Sequence, residues 1–201
     1  MPGPHPSIGA RGDSTIPETS SGVLYAAAER RACYLETLDT YRPDRALLQR
    51  LLAVGSAGFA PRTGLIPDSY FDKLIGHLRL QSGQRWLDVR IDAPETAVAL
   101  SRESAIAGLL PELGYGKRLK PGDLVGSDRR LTQVVARWAF EAGFAGMAYN
   151  CSHDMRHDCR AIFEGAVFTV AANPSPIQPD DPELIAVARA FELTMSFARG
   201  T

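Results

Sequence analysis

The first apolar segments of the chain predict a strand followed by a helix. Residues 22–27 (GVLYAA) form a short apolar run after a turn-rich stretch, which predicts a buried strand. Ala32, Leu35 and Leu38 then recur at intervals of three residues, a spacing that predicts a helix over 29–38 with one apolar face. The strand and the helix are expected to follow each other directly.

The middle of the chain mixes helical and strand patterns. Residues 45–54 and 69–77 have helical spacing, and residues 86–91 alternate as a strand does. A further helix is expected to start at Asp92 as its cap, with Pro94 in its first turn, and to reach about residue 100. Residues 111–127 are rich in glycine and charge, which predicts a loop.

The last third predicts two helices around short strands. Asp128 is expected to cap a helix that ends at Gly143, and Asp180 or Asp181 a C-terminal helix over 182–197. Strands are predicted at 147–149 and, as one or two segments, at 160–172. This irregular order of short strands and helices favours an α+β fold over regular βαβ winding.

The composition predicts one globular domain that follows a short N-terminal lead-in. Residues 1–21 hold four prolines and three glycines and are expected to be an extended or poorly ordered lead-in, so that the domain spans 22–201. Hydrophobic residues make up 45% of the 201-residue chain and charged residues 22%, which excludes a wholly disordered protein.

The net charge and the number of cysteines limit which binding partners and which cellular compartment are expected. A net charge of -1 argues against a nucleic-acid backbone or an anionic membrane surface as the main partner. No apolar run is long enough to span a membrane, and the first 15 residues lack the apolar core of a secretory signal. Three cysteines without a signal predict free thiols in a reducing cytoplasm.

The densest polar segment, residues 149–159, contains Cys151, His153, His157 and Cys159. These are zinc-ligand types, but zinc modules separate their ligand pairs by longer loops, so we predict that the segment binds no metal. A thiol nucleophile at Cys151 beside His153 is a second, weaker hypothesis, and it would make the protein a thiol- or metal-dependent hydrolase. The simplest interpretation is a polar loop with one cysteine turned into the core.

Five segments, in this order, carry a resemblance to a known family. Residues 22–27 are followed by 32–38 (ACYLETL), then by 131–133 (LTQ), and then by 143–152 (GFAGMAYNCS) with 161–163 (AIF). In order and spacing these segments resemble the RES domain family across about residues 10–170. The family takes its name from an arginine, a glutamate and a serine.

The resemblance implies a fold and an activity. The fold would be a single α+β domain similar to ADP-ribosyltransferases, with a small mixed sheet flanked by helices. Members are often toxins of bacterial toxin–antitoxin pairs, held inactive by an antitoxin protein. Characterised members degrade NAD, some by phosphorolysis, so NAD is the expected substrate, inorganic phosphate a second one, and no metal cofactor is needed. The oligomeric state is left open, with a homo-oligomer as one option.

The resemblance also implies site residues. By position, Arg11 matches the arginine, Tyr25 the tyrosine of the first strand, and Glu36 the glutamate. The serine falls at Ser152 or, by strict spacing, at Cys151, and Ser152 is preferred because the residue type fits. Glu36, Arg11 and Ser152 would be catalytic, and Tyr25, Arg11 and Cys151 would bind the substrate.

These residue types suit cleavage of the nicotinamide–ribose bond. Positive charge develops on the sugar in such a reaction, and the Glu36 carboxylate could stabilise it or hold the ribose hydroxyls. Arg11 could grip a pyrophosphate or phosphate, Tyr25 could stack on the substrate, and Ser152 could hydrogen-bond phosphate. The alternative is a non-catalytic RES-like protein that binds a nucleotide or a partner. Members usually carry a further arginine upstream, and residues 1–10 contain none.

Overall fold

The computed structural model describes residues 22–43, 49, 64–125 and 128–195, which form six α-helices and eight strands. The predicted α+β fold class is therefore confirmed. The predicted lead-in over 1–21, and all of the predicted helix over 45–54 except residue 49, lie outside these residues. The chain divides into two compact units. The division at residue 21 stays a prediction.

The unit made of Pro17–Glu36 and Arg79–Thr169 contains a four-stranded mixed sheet. Its strands are β1 (Val23–Ala27), β4 (Trp86–Asp88), β5 (Gly146–Cys151) and β6 (Asp154–Phe163), in the spatial order β1-β6-β5-β4. β6 pairs antiparallel with both β1 and β5, and β4 pairs parallel with β5. β5 and β6 are thus the two central strands, and the turn between them lies at one end of the sheet.

The turn of this β5–β6 hairpin comprises only Ser152 and His153. The polar loop expected over 149–159 is therefore wrong for most of its length, since β6 begins at Asp154. The physical reason is the alternation of the segment. From Asp154 to Arg160 the acidic and basic residues occupy every second position, which places them on one face of the strand.

Four helices accompany this sheet in the same unit: α2 (Pro94–Leu100), α3 (Ser104–Ala107), α4 (Pro121–Leu124) and α5 (Arg129–Glu141). Asp128 caps α5, as predicted, by accepting a hydrogen bond of 2.9 Å from the Arg130 amide. The cap residue of α2 is Ala93 rather than Asp92, and it makes no side-chain cap bond. The core joins sheet and helices through buried apolar residues such as Leu87, Val89, Leu100, Ile106, Leu131, Val135 and Phe163.

Helix α1 (Arg30–Leu38) begins three residues after β1, as the sequence predicts. The expected burial of β1 is wrong, because β1 lies at the edge of its sheet and leaves Tyr25 65% exposed. Its apolar residues Ala32, Leu35 and Leu38 are buried, and so is Tyr34. Glu36 lies beside this buried stripe and is only partly exposed. The helix therefore presents a carboxylate at the margin of its packed face.

The other unit is built from Thr37–Leu78 and Val170–Thr201 together with Met1–Ile16. Its described elements include β2 (Leu65–Ile66) paired parallel with β8 (Thr194–Met195), and helix α6 (Pro182–Ala190). β3 (Leu74–Leu80) pairs with β7 (Phe168–Pro176), and most of both strands belongs to this unit. Tyr70 is fully buried here and makes edge-to-face ring contacts with Tyr41 and Phe71.

Further predicted elements also differ from the structure. Residues 69–77, expected to be helical, form the end of a short 3-10 turn (Asp68–Tyr70) followed by β3. The strand predicted to reach residue 91 ends at Asp88, because Arg90 folds back to bond the Asp88 side chain. The C-terminal helix, capped by Asp181, ends at Ala190 instead of 197, and Glu192 there adopts a positive φ of 57°.

None of the described helices is long and apolar enough to cross a membrane. No disulfide joins Cys33, Cys151 and Cys159, and all of the cysteines of the chain lie in the described part.

Gly146 is required at the start of β5 by its neighbours. A Cβ atom there would collide with the Ala161 carbonyl oxygen and come within 2.6 Å of the Trp86 ring. We expect Gly146→Ala to lower the free energy of unfolding by about 1–3 kcal/mol, the usual cost of overpacking. Chemical denaturation followed by circular dichroism measures this change.

Gly122→Ala is the matched control, because nothing lies within 4 Å of the position where its Cβ would be. Gly122 lies in helix α4, where alanine is favoured over glycine, so the stability should be unchanged or slightly higher. Equal stability of the Gly146 and Gly122 variants would contradict this account of the β4–β5–β6 packing.

Candidate active site

Two residues separated by 116 positions meet at one end of the sheet. The Ser152 backbone amide donates a hydrogen bond of 3.1 Å to Glu36 Oε1, and the Ser152 hydroxyl donates one of 3.4 Å to the same oxygen. Hydrogen bonds to a carboxylate are stronger than bonds between neutral groups and fix its orientation. The structure therefore brings together the glutamate and the serine that the sequence analysis selected.

Two different elements, a helix and a hairpin turn, position Glu36 and Ser152. Glu36 lies on α1, whose orientation is set by the buried side chains of its apolar face. Ser152 occupies the first position of the tight β5–β6 turn, directly after a bulge that shifts the strand register between Asn150 and Cys151. A bulge re-aims the side chains that follow it, and here the turn amide points at α1.

A pair of thiols lies next to the carboxylate. The Sγ atoms of Cys151 and Cys159 and a carboxylate oxygen of Glu36 all lie within 4.8 Å of one another. Cys151 is 0% and Cys159 1% exposed to solvent. Burial is the main cause that raises the pKa of both thiols, and the nearby Glu36 carboxylate raises both further. Both cysteines are therefore neutral near neutral pH.

Two tyrosines share the same face of the sheet. The register pairs Tyr25 with Ala161 and Tyr149 with Cys159, so alternation places Tyr25, Tyr149 and Cys159 on one side. Tyr25 is 65% exposed, whereas burial raises the pKa of the Tyr149 hydroxyl, with further increases from Cys159, Glu36 and Tyr25. The Tyr149 hydroxyl thus lies close enough to Tyr25 and to Glu36 for their charges to affect its pKa.

The sequence analysis did not select Tyr149 or Cys159 as part of this glutamate–serine site. The available signal was the period of two along β5 and β6. Tyr149 and Cys151 are two residues apart on β5, and Cys159 is the cross-strand partner of Tyr149. Recognising the hairpin in the segment would have placed all of them beside one another.

Polar side chains in and beside the β5–β6 hairpin also hold the structure together. Arg90 joins the end of β4 to β6, with its guanidinium 2.6 Å from Asp88 Oδ2 and 3.1 Å from Asp158 Oδ2. Asn150 accepts a 2.8 Å bond from the Ile91 amide and donates one of 2.9 Å to the Met155 carbonyl. Together these bonds fix the hairpin and the chain after β4.

The four potential zinc ligands of residues 149–159, which were expected from their spacing to bind no metal, are divided by the fold. His157 faces two carboxylates, with Nδ1 3.0 Å from Glu29 Oε2 and Nε2 3.5 Å from Asp154 Oδ2. Among the described residues, the cluster of potential ligand atoms around the cysteines includes neither His157 nor His153. Arg11, the predicted arginine of the site, lies outside the described residues.

Comparison with known proteins gives one match. A family model described as RES domain matches residues 3–186, which is most of the chain. The chain belongs to the RES domain family. This confirms the resemblance of the sequence motifs, and the RES match includes both α1 and the β5–β6 hairpin. Searches of the curated proteins and of the solved structures each gave no match.

The thiols of this RES domain should react slowly in the folded protein. Alkylation requires the thiolate, and each unit by which burial raises a thiol pKa reduces the thiolate fraction about tenfold. We expect Cys151 and Cys159 to be alkylated by iodoacetamide at least about ten times more slowly in the native protein than in denaturant. Peptide mass spectrometry after timed labelling gives the three rates separately.

Cys33 provides an internal comparison, since it is less buried than the other two cysteines. It should be labelled first in the native protein. Labelling of Cys151 or Cys159 at the rate measured for the denatured chain would show that these thiols are not packed beneath Glu36.

Proposed function

We propose that this RES domain protein cleaves the nicotinamide–ribose bond of NAD, with Glu36 as the central catalytic group. The observation that carries the proposal is the pair of hydrogen bonds from Ser152 to Glu36 Oε1, at 3.1 and 3.4 Å. A carboxylate held in place before the reaction loses little free energy to reorganisation when positive charge appears near it. Membership of the RES family supports the choice of NAD as the substrate.

In the proposed reaction the N-glycosidic bond breaks and its electron pair leaves with nicotinamide, which departs as a neutral base. The ribose develops the positive charge of an oxocarbenium ion, which the Glu36 carboxylate stabilises or aligns through the ribose hydroxyls. An oxygen of phosphate, or of water that loses a proton to solvent, then bonds to the anomeric carbon. A neutral leaving group needs no Lewis acid, so the proposed mechanism uses no metal cofactor.

The other proposed roles surround this step. Tyr25, exposed on the sheet face near Tyr149, offers an aromatic surface for the nicotinamide or ribose. Ser152, the exposed partner of Glu36, is proposed to hydrogen-bond phosphate, whereas Cys151 is buried and its Sγ lies within 4.8 Å of the Glu36 carboxylate. Arg11 is proposed to bind the pyrophosphate or an incoming phosphate through its guanidinium.

Family membership also motivates the proposed setting. The protein would act in the bacterial cytoplasm as the toxin of a toxin–antitoxin pair, with an antitoxin protein as its inhibitor. The non-catalytic alternative, a RES-like protein that only binds a nucleotide or a partner, is distinguished by the turnover experiment below.

Glu36→Gln tests the proposed role directly. The amide keeps the shape of the side chain but removes its charge, so stabilisation of the oxocarbenium ion is lost. We expect nicotinamide release from NAD to fall about 100–1000-fold, as when one electrostatic contact to a transition state is removed. The assay measures released nicotinamide by chromatography, with and without inorganic phosphate, and thereby also identifies the acceptor.

Glu141→Gln is the control, because Glu141 is exposed on α5 and its ion pair within the described part of the chain is with the neighbouring Arg137, at 2.9 Å. This variant should retain wild-type turnover. Unchanged turnover in Glu36→Gln would remove Glu36 from the mechanism. NAD binding without any nicotinamide release by the wild-type protein would favour the non-catalytic alternative.

A further inference from the structure

Glu36, Cys151 and Cys159 together offer the ligand types that a soft metal ion prefers. One carboxylate and two thiols, from α1, the end of β5 and the middle of β6, have ligand atoms within 4.8 Å of one another. Sulfur ligands favour zinc and cadmium, whereas magnesium and calcium prefer oxygen ligands alone. Two of its members, Cys151 and Cys159, belong to the segment 149–159 that was expected from the sequence to bind no metal, so a metal here would reverse that expectation. The set differs from the rejected one because its third ligand, Glu36, comes from a distant helix.

We propose that Glu36, Cys151 and Cys159 bind one thiophilic divalent ion of the zinc class, and that this ion inhibits the enzyme. The binding itself depends only on these three residues. The inhibition rests on the proposed function, because the ion would occupy the carboxylate that the reaction requires.

The distances suit such an ion after a small adjustment. A tetrahedral zinc with sulfur at about 2.3 Å and oxygen at about 2.0–2.2 Å holds its ligand atoms about 3.5–3.8 Å apart. The ligand atoms here are separated by up to 4.8 Å, so side-chain rotations that bring them closer by about 1 Å suffice. Glu36 and Ser152 border solvent, which leaves the fourth position of the tetrahedron for water.

The charge balance of the site also favours a divalent ion. Without metal, the cluster consists of one carboxylate and two neutral thiols. When a divalent ion binds, both thiols lose their protons to solvent and form metal–sulfur bonds, while the carboxylate binds as it is. The two positive charges offset the two new thiolates, so the net charge of this buried cluster does not change. Burial penalises an isolated thiolate, and that penalty does not apply to a thiolate bound to the ion.

Direct metal binding can be measured without any activity assay. Full-length protein is reduced with a phosphine, treated with chelator, freed of both, and titrated with cadmium under anaerobic conditions. We expect one cadmium per chain, with the ultraviolet charge-transfer absorption of a cadmium–thiolate bond. Cys151→Ser and Cys159→Ser should each lose at least half of this absorption, and Glu36→Gln should weaken cadmium binding about tenfold or more.

Cys33→Ser is the matched control for removal of a cysteine. Cys33 lies on the same helix as Glu36, but the group of described residues whose ligand atoms are within 4.8 Å does not include it. This variant should bind cadmium as the wild type does. Absence of the thiolate absorption in the wild type would overturn the proposal, and so would its persistence in both the Cys151 and the Cys159 variant.

A measurement on the unaltered chain guards against variants that fail to fold. X-ray absorption of the zinc-loaded wild-type protein should show two sulfur ligands, with oxygen or nitrogen atoms completing the shell. A shell without sulfur, or with four sulfur atoms, would overturn the assignment.

The regulatory part of the proposal is tested separately. One equivalent of zinc should reduce nicotinamide release by the wild-type protein at least tenfold, and chelator should restore it. In Cys33→Ser the same inhibition is expected. If the wild type binds cadmium as described but shows no turnover of NAD, the metal site stands and the proposed function fails. If turnover is present and zinc at saturating occupancy does not change it, the inhibitory role is wrong.

Discussion

The contact between the Ser152 amide and Glu36 is the long-range bond on which the proposed chemistry depends. It joins a helix near the start of the chain to a turn in its last third, at 3.1 Å. A backbone donor is a rigid partner for a carboxylate, because its position is fixed by the hairpin rather than by a side-chain rotamer. The sheet register, the Asn150/Cys151 bulge and the two-residue turn together set that position.

The surroundings of Glu36 strengthen this arrangement. Cys151 and Cys159 are buried beneath it, and burial keeps both thiols neutral, so neither repels the carboxylate. Tyr149, whose hydroxyl pKa burial also raises, adds a neutral aromatic group to the same face. Glu36 itself borders solvent, so electrostatic interactions are stronger than in water only on its buried side, where the thiols lie. The same neutral thiols become metal ligands when a soft ion supplies the compensating charge, which connects the proposed reaction with its proposed inhibition.

The sequence predicts the elements that carry Glu36 better than those that carry Ser152. Strand β1 and helix α1 follow from local patterns, since Ala32, Leu35 and Leu38 form a regular apolar stripe. The β5–β6 hairpin also has a local signal, in the alternation of Asp154, Arg156 and Asp158, but metal-ligand residue types obscure it. The bulge at Asn150/Cys151 has no comparable signal, because it depends on pairing with a strand whose register is set elsewhere. For the same reason the spacing of residues alone leaves the choice between Ser152 and Cys151 open.

A double-mutant cycle between Glu36 and Ser152 tests the central claim most directly. Nicotinamide release is measured for the wild type, Glu36→Gln, Ser152→Ala and the double variant. Ser152→Ala removes the hydroxyl bond of 3.4 Å and keeps the amide bond of 3.1 Å, so it should slow the wild type less than Glu36→Gln does. If the hydroxyl acts by helping the amide to hold the carboxylate, its removal has no further effect once the charge of Glu36 is gone, and the double variant should be as slow as Glu36→Gln alone. Losses that multiply, as for two independent groups, would contradict the account.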